Sequence, residues 1–122
     1  MNYEMRLINS IIDSGDMVAA INAGSEGVFS EYRDVWNFMI SHYDKHKKPP
    51  SKDTVKSHFS DFEFIVTSEP LEYYIDQAKK ESLSLQARRV IAQAHSLLGE
   101  LGPKEALAYL MENTSKLYKY SS

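Results

Sequence analysis

The chain has 122 residues, 43% of them hydrophobic and 11% aromatic, with a formal net charge of −3 and no cysteine. That apolar content belongs to a folded domain rather than a disordered tail, and the slightly acidic balance gives no general nucleic-acid footprint. Disulfide and thiol chemistry are excluded; no apolar run approaches the ~18 residues of a membrane span and no secretion-signal core opens the chain, so the expectation is an intracellular protein.

Asn2 is placed to cap a first helix carrying Met5, Leu7, Ile8, Ile11 and Ile12, which should stop at Ser14-Gly15. Asp16 caps a short second helix with Met17, Ala20 and Ile21, closed by Asn22-Ala23-Gly24. Residues 25–29 read as a loop anchored by Val28 and Phe29. Ser30 is then expected to cap a helix from Glu31 to His46, in which Tyr32, Val35, Trp36, Met39, Ile40 and Tyr43 keep helical spacing throughout. Trp36, the single tryptophan, falls in the middle of that stripe and is the expected centre of the core.

Lys47-Lys48-Pro49-Pro50 stops this helix, and Ser51 caps a short one with Val55 and Phe59 turned inward. Phe62, Phe64 and Ile65 follow in a loop. Phe64-Ile65-Val66 has the composition of a strand, but nothing else in the chain would pair with it.

From Pro70 to Gly99 there is neither Pro nor Gly after the first residue, and the composition favours helix, with Ser68 as the expected N-cap and Pro70 in the first turn. One helix over this span is roughly 45 Å long at 1.5 Å per residue. The residues before it can build a globule only about 28 Å across, so the helix should overhang. Its apolar face also turns. Leu71, Tyr74, Ile75 and Ala78 form a first stripe; Ala87, Val90, Ile91, Ala94, Leu97 and Leu98 form a second, centred roughly 140° round the helix. The change falls at Glu81-Ser82-Leu83-Ser84.

Gly99-Glu100-Leu101-Gly102-Pro103 reads as a tight turn, with Pro103 opening a last helix that carries Ala106, Leu107, Leu110, Met111, Leu117 and Tyr118 on one side. The expected class is therefore all-α: a small helical globule over residues 1–80, then an αα-hairpin arm over residues 81–122. Both arm stripes are wider than a lone two-helix contact needs. Val90, Ile91, Ala94, Leu97 and Leu98 on one helix, with Leu107, Leu110 and Met111 on the other, are the candidate self-association or partner surface.

Catalytic signatures are missing from the sequence. His42 and His46 have the i, i+4 spacing of metal ligands but lack the accompanying Glu, and a solvated helix face is the favoured reading. No glycine-rich loop could cradle a phosphate, and no carboxylate pair stands beside a histidine. The expectation is no catalytic residue, metal or cofactor. Lys45, Lys47 and Lys48 end the third helix, where they suit its dipole, and Arg88-Arg89 lie on the long helix. These five are the candidates for a weak nucleic-acid contact, against a bland reading as solvated charge.

The order of these patterns resembles a known family. An opening helix with Glu4, Leu7, Ile8, Ile11 and Ile12 leads through a Phe-containing loop into Tyr32, Val35, Trp36, Met39, Ile40 and Tyr43. Lys47-Lys48-Pro49-Pro50-Ser51 and then Thr54-Val55 follow, and a helical hairpin closes the chain. This resembles the N-terminal domain of DnaB-type replicative DNA helicases, most closely the phage-encoded branch. The resemblance implies a non-catalytic domain whose hairpins pair into a ring-shaped collar on a hexameric, ATP-driven motor. It also implies primase or a helicase loader as docking partners, single-stranded DNA bound at most weakly, no membrane association, and a bacterial host cytoplasm. The motor is not in these residues, so the alternatives are a stand-alone loader, adaptor or helicase-binding mimic sharing the fold. An unrelated α-helical DNA-binding regulator is a third reading, disfavoured by the net acidity.

Overall fold

The computed structural model describes residues 2–121, with side chains as far as Leu117. Helix α1 (Tyr3–Ser14) starts where the Asn2 side chain accepts from the Met5 N–H at 3.1 Å and stops at Gly15, whose φ of +71° suits a residue without a Cβ. Helix α2 (Met17–Asn22) starts on the Asp16 carboxylate, which accepts from the Ala19 N–H at 3.0 Å. A single 3-10 turn, Ser25–Val28, occupies the expected loop, and both anchors, Val28 and Phe29, are buried.

Helix α3 (Arg33–His46) begins two residues later than its apolar spacing suggested, and Ser30 is not its cap. Tyr32 stands at the cap position with no capping side-chain bond, and the carboxylate of Glu4, reaching across from α1 and only 8% exposed, instead holds the turn just ahead of the helix. It accepts from the backbone N–H groups of Ser30 at 2.8 Å, Glu31 at 3.4 Å and Tyr32 at 3.1 Å, and from the Ser30 hydroxyl at 3.2 Å. These amides precede the first helical residue, so the carboxylate braces the turn leading into α3, and its charge suits the positive end of the helix dipole. With its amide and hydroxyl both donating to Glu4, Ser30 stays outside the helix.

Trp36 is 1% exposed and stacks on Phe29 with ring centroids 4.6 Å apart. Its Nε1 has no hydrogen-bond partner, so it holds the core by packing alone. Leu7, Ile8, Ile11, Met17, Met39 and Val55 surround the same interior. Val55 comes from helix α4 (Lys52–His58), started by the Ser51 hydroxyl accepting from the Thr54 N–H at 3.2 Å. Phe59, the other residue expected inward, is half-buried.

The strand-like stretch finds a partner that is not a strand. Asn9, 1% exposed on α1, donates to the carbonyls of Met5 at 2.9 Å and Glu63 at 3.0 Å and accepts from the Ile65 N–H at 3.0 Å. One side-chain amide supplies the acceptor and donor that a neighbouring strand would offer, so the extended backbone around Phe64 is satisfied without a sheet. No strand occurs among the described residues.

Helix α5 (Leu71–Leu101) is one continuous helix of 31 residues. Pro70 immediately precedes it, with its carbonyl accepting from the Tyr73 N–H at 3.0 Å, so the cap position expected at Ser68 lies outside the helix. The amides of Ser68 and Glu69 instead donate to the Tyr74 hydroxyl at 3.2 and 3.3 Å. Leu71, Tyr74, Ile75 and Ala78 are all buried. Farther along, Ala94 is buried and Val90 and Leu97 are half-buried. Because the inward face changes, α5 as a whole has little amphipathic bias. Gly99 and Glu100 are helical, so the expected five-residue turn shrinks to Gly102, at φ +96°, whose N–H donates to the Leu97 carbonyl at 3.1 Å. Pro103 then opens helix α6 (Pro103–Ser121), where its missing N–H costs nothing.

The chain divides into two compact units, Met1–Ala78 and Lys79–Ser122. Residues 71–78 of α5 belong to the first, and the rest of α5 with α6 makes the second. The side chain of Tyr118, expected on the apolar side of α6, lies outside the described residues.

Candidate functional site

In the second unit, Ala94 of α5 and Ala106 of α6 are the two buried side chains among the described residues. Small residues in a seam let two helices come together with little side-chain volume between them. The larger neighbours therefore flank the seam instead of filling it. On one flank, Ile91, His95 and Leu98 from α5 face Pro103, Leu107 and Leu110 from α6 across a groove of about 310 Å³ floored by the two alanines. His95 is the only polar side chain in that lining. Ile91 is 65% exposed, Leu98 50% and Leu107 63%.

Of the eight residues expected on a partner surface, five line this groove: Ile91, Ala94, Leu98, Leu107 and Leu110. Val90 and Leu97 do not, being half-buried outside the groove. Met111 lies outside the groove as well, yet is 75% exposed. His95 and Pro103 were not foreseen. Pro103 reads from sequence only as a helix opener, and His95 falls at the edge of an otherwise apolar stripe.

A second constellation lies in the first unit, where α3 ends and α4 begins. A groove of about 340 Å³ is lined by Phe38, Ser41, His42, Lys45 and His46 from α3 and by Thr54 and His58 from α4. The imidazoles of His42 and His46 lie 4.5 Å apart between centroids, and Phe38 lies 4.3 Å from His58. Among the described residues no group of three or more His, Cys, Asp or Glu is placed to hold a metal ion. Lys45, Lys47 and Lys48 are exposed around this groove. Arg88 and Arg89 are exposed too, but they belong to the second unit. Phe38 and His58 were missed from sequence. Phe38, His42 and His46 do form an i, i+4, i+8 series that could have shown the first; His58 is brought in only by the packing of α4.

On another side of His58 an acidic groove of about 550 Å³ is lined in part by Glu31, Asp34 and Asp61, together with Tyr32 and Phe62. Burial pushes the Tyr32 phenol above its ordinary value of 10.0, and the nearby Glu31, Glu63 and Glu4 carboxylates add to the shift by opposing a phenolate. Comparison of the chain with models of known protein families, with curated proteins and with solved structures finds no match for it.

Proposed function

We propose that this chain is the non-catalytic collar domain of a DnaB-type replicative helicase of the phage-encoded branch, and that the groove side of its hairpin joins it to a second copy. The observation that carries the reading is the apolar flank of the α5–α6 seam, where Ile91, Leu98 and Leu107 stand at least half exposed, with Met111, outside the groove, 75% exposed on α6. The helix order from Glu4 to the closing hairpin supports the same assignment. Docking of primase or a helicase loader follows from the resemblance, as does an ATP-driven motor carried elsewhere.

Magnitudes set what to look for. Covering a side chain that is about half exposed gains roughly 1 kcal/mol, so a two-fold pair that buries these four residues on each hairpin gains about 8 kcal/mol before costs. Loss of translational and rotational freedom costs roughly 4–15 kcal/mol. Paired hairpins of the isolated domain should therefore be weak, about millimolar at best, and gain strength only when a ring supplies many contacts at once.

Sedimentation from about 0.1 mM to several millimolar protein should show dimers or larger rings growing with concentration. Leu98→Glu and Leu107→Glu should return folded monomers, since both side chains already face water in a single copy. Leu110, half-buried within the hairpin, is the poorer probe. A wild type that stays monomeric across the whole range would sink the self-association reading.

A further inference from the structure

We infer that the groove between the end of α3 and the start of α4 is a binding platform for single-stranded nucleic acid, one that stacks a base on its rings and holds flanking phosphates with lysines. This goes beyond the collar reading and rests on residues of the first unit alone.

The rings come first. His46, His42, Phe38 and His58 form a run of neighbouring aromatic side chains, with centroid separations of 4.5, 6.3 and 4.3 Å in that order. Phe59 backs Phe38 edge-on at 5.6 Å. Two of the imidazoles are pinned by backbone. His42 donates from Nδ1 to the Lys48 carbonyl at 3.0 Å, and His58 donates from Nδ1 to the Thr54 carbonyl at 3.1 Å. A carbonyl can only accept, so both rings carry a hydrogen on Nδ1. Rings held in this way lose little freedom when a base stacks on them.

The charge comes second. Residues 42–58 hold five lysines against two aspartates, a local surplus of positive charge in a chain whose total is −3. All five lysines are exposed, and none is in an ion pair among the described residues. Lys52 lies over the Phe64 ring at 5.5 Å, which leaves Lys45, Lys47, Lys48 and Lys56 for phosphates.

The combination selects the ligand. Lysines alone would attract any polyanion, but unstacked bases are the polyanion's feature that matches exposed rings, because every base has a π-face. A duplex keeps its bases paired and stacked, and α4, with seven residues, is too short to read a groove. A space of about 340 Å³ is at the small end for ligand sites, enough for about one nucleotide.

The test uses the whole chain and fluorescence anisotropy of labelled oligothymidylate and oligouridylate, each about 12 nucleotides long, within the usual site size for single-strand binders. Binding should be weak, roughly 10⁻⁴–10⁻⁵ M at low salt, and three phosphate contacts should make it fall about 20-fold between about 50 and 200 mM salt. Binding of either oligomer supports the platform. His42→Ala with His58→Ala should weaken binding by roughly tenfold, as loss of base stacking does. His46→Ala, at an exposed ring, should act in the same direction and guards against a folding defect in the pair, which a thermal melt would reveal. Lys45→Gln with Lys48→Gln should flatten the salt dependence. Absence of binding up to millimolar protein overturns the proposal. So does equal affinity for a duplex or a polyglutamate peptide with the histidine variants unchanged, since that is charge attraction without a base.

Discussion

Two side chains show how much of this fold hangs on single polar groups. Glu4 is almost fully buried and serves the start of a helix that begins nearly thirty positions later in the chain. Hydrogen bonds to a charged acceptor contribute about 1.5–3 kcal/mol, and a buried amide left without one costs a similar amount. Glu4→Ala should therefore lower the unfolding free energy by about 3 kcal/mol, read as a shift in the urea midpoint; a loss below about 1 kcal/mol would mean that water satisfies the amides of this turn as well. Tyr32 gives a pH signature. Its phenol is raised in the folded chain by burial and then by Glu31, Glu63 and Glu4, so the unfolded chain gives up that proton first. The contribution is whole below pH 10, where both states hold the proton, and is lost as the pH climbs through the folded value. Tyr32→Phe should lessen the drop in stability as the pH rises above about 10, followed by urea midpoints at each pH. The same drop in both proteins would place the alkaline weakness elsewhere.

At the scale of elements, the segment between α4 and α5 has no regular structure, yet it covers the core with Phe62 and half-buried Phe64 and Ile65. Its attachment to α1 runs through Asn9, supported at the exposed end by the Thr67 hydroxyl donating to Asp13 at 2.8 Å. Removing the Asn9 amide leaves the Glu63 carbonyl and Ile65 N–H unpaired in a partly buried setting, at a cost of about 1–3 kcal/mol. Asn9→Ala should lower the melting temperature by several degrees and speed amide exchange at Ile65 selectively. Uniform exchange along the chain would show that the segment is held by its aromatic side chains instead. Gly102 is the matching device in the second unit: its left-handed φ lets α5 end and α6 begin within one residue.

For the molecule as a whole, the two units carry different kinds of unused surface. The first concentrates rings and lysines where α3 meets α4; the second presents an apolar flank along the α5–α6 seam. Neither is required by the core. Trp36, Leu7, Ile8, Ile11 and Met39 are buried without help from either surface. The sedimentation series and the nucleic-acid titration should accordingly separate. Leu98→Glu should abolish association and leave oligothymidylate affinity unchanged, while the histidine variants should do the reverse. Loss of both properties in one variant would tie the two surfaces together and contradict their independence.

Helix order and class, the core stripe around Trp36, the caps at Asn2, Asp16 and Ser51, and the turn of the apolar face along α5 were all determined by sequence alone. Each rests on spacing within one element or on a residue bonding its own near neighbours, which a linear chain displays directly. Tertiary structure decided what depends on distant pairs. Glu4 drew Ser30 into the turn ahead of α3, Asn9 stood in for a missing strand, and His58 joined the rings of α3, because a polar group is satisfied by whatever partner packing brings within reach. The hairpin flank lies between these cases. Its residues were legible as a broad apolar stripe, but which of them stay in water was set by two alanines that draw the helices together and leave Ile91, Leu98 and Leu107 outside the seam.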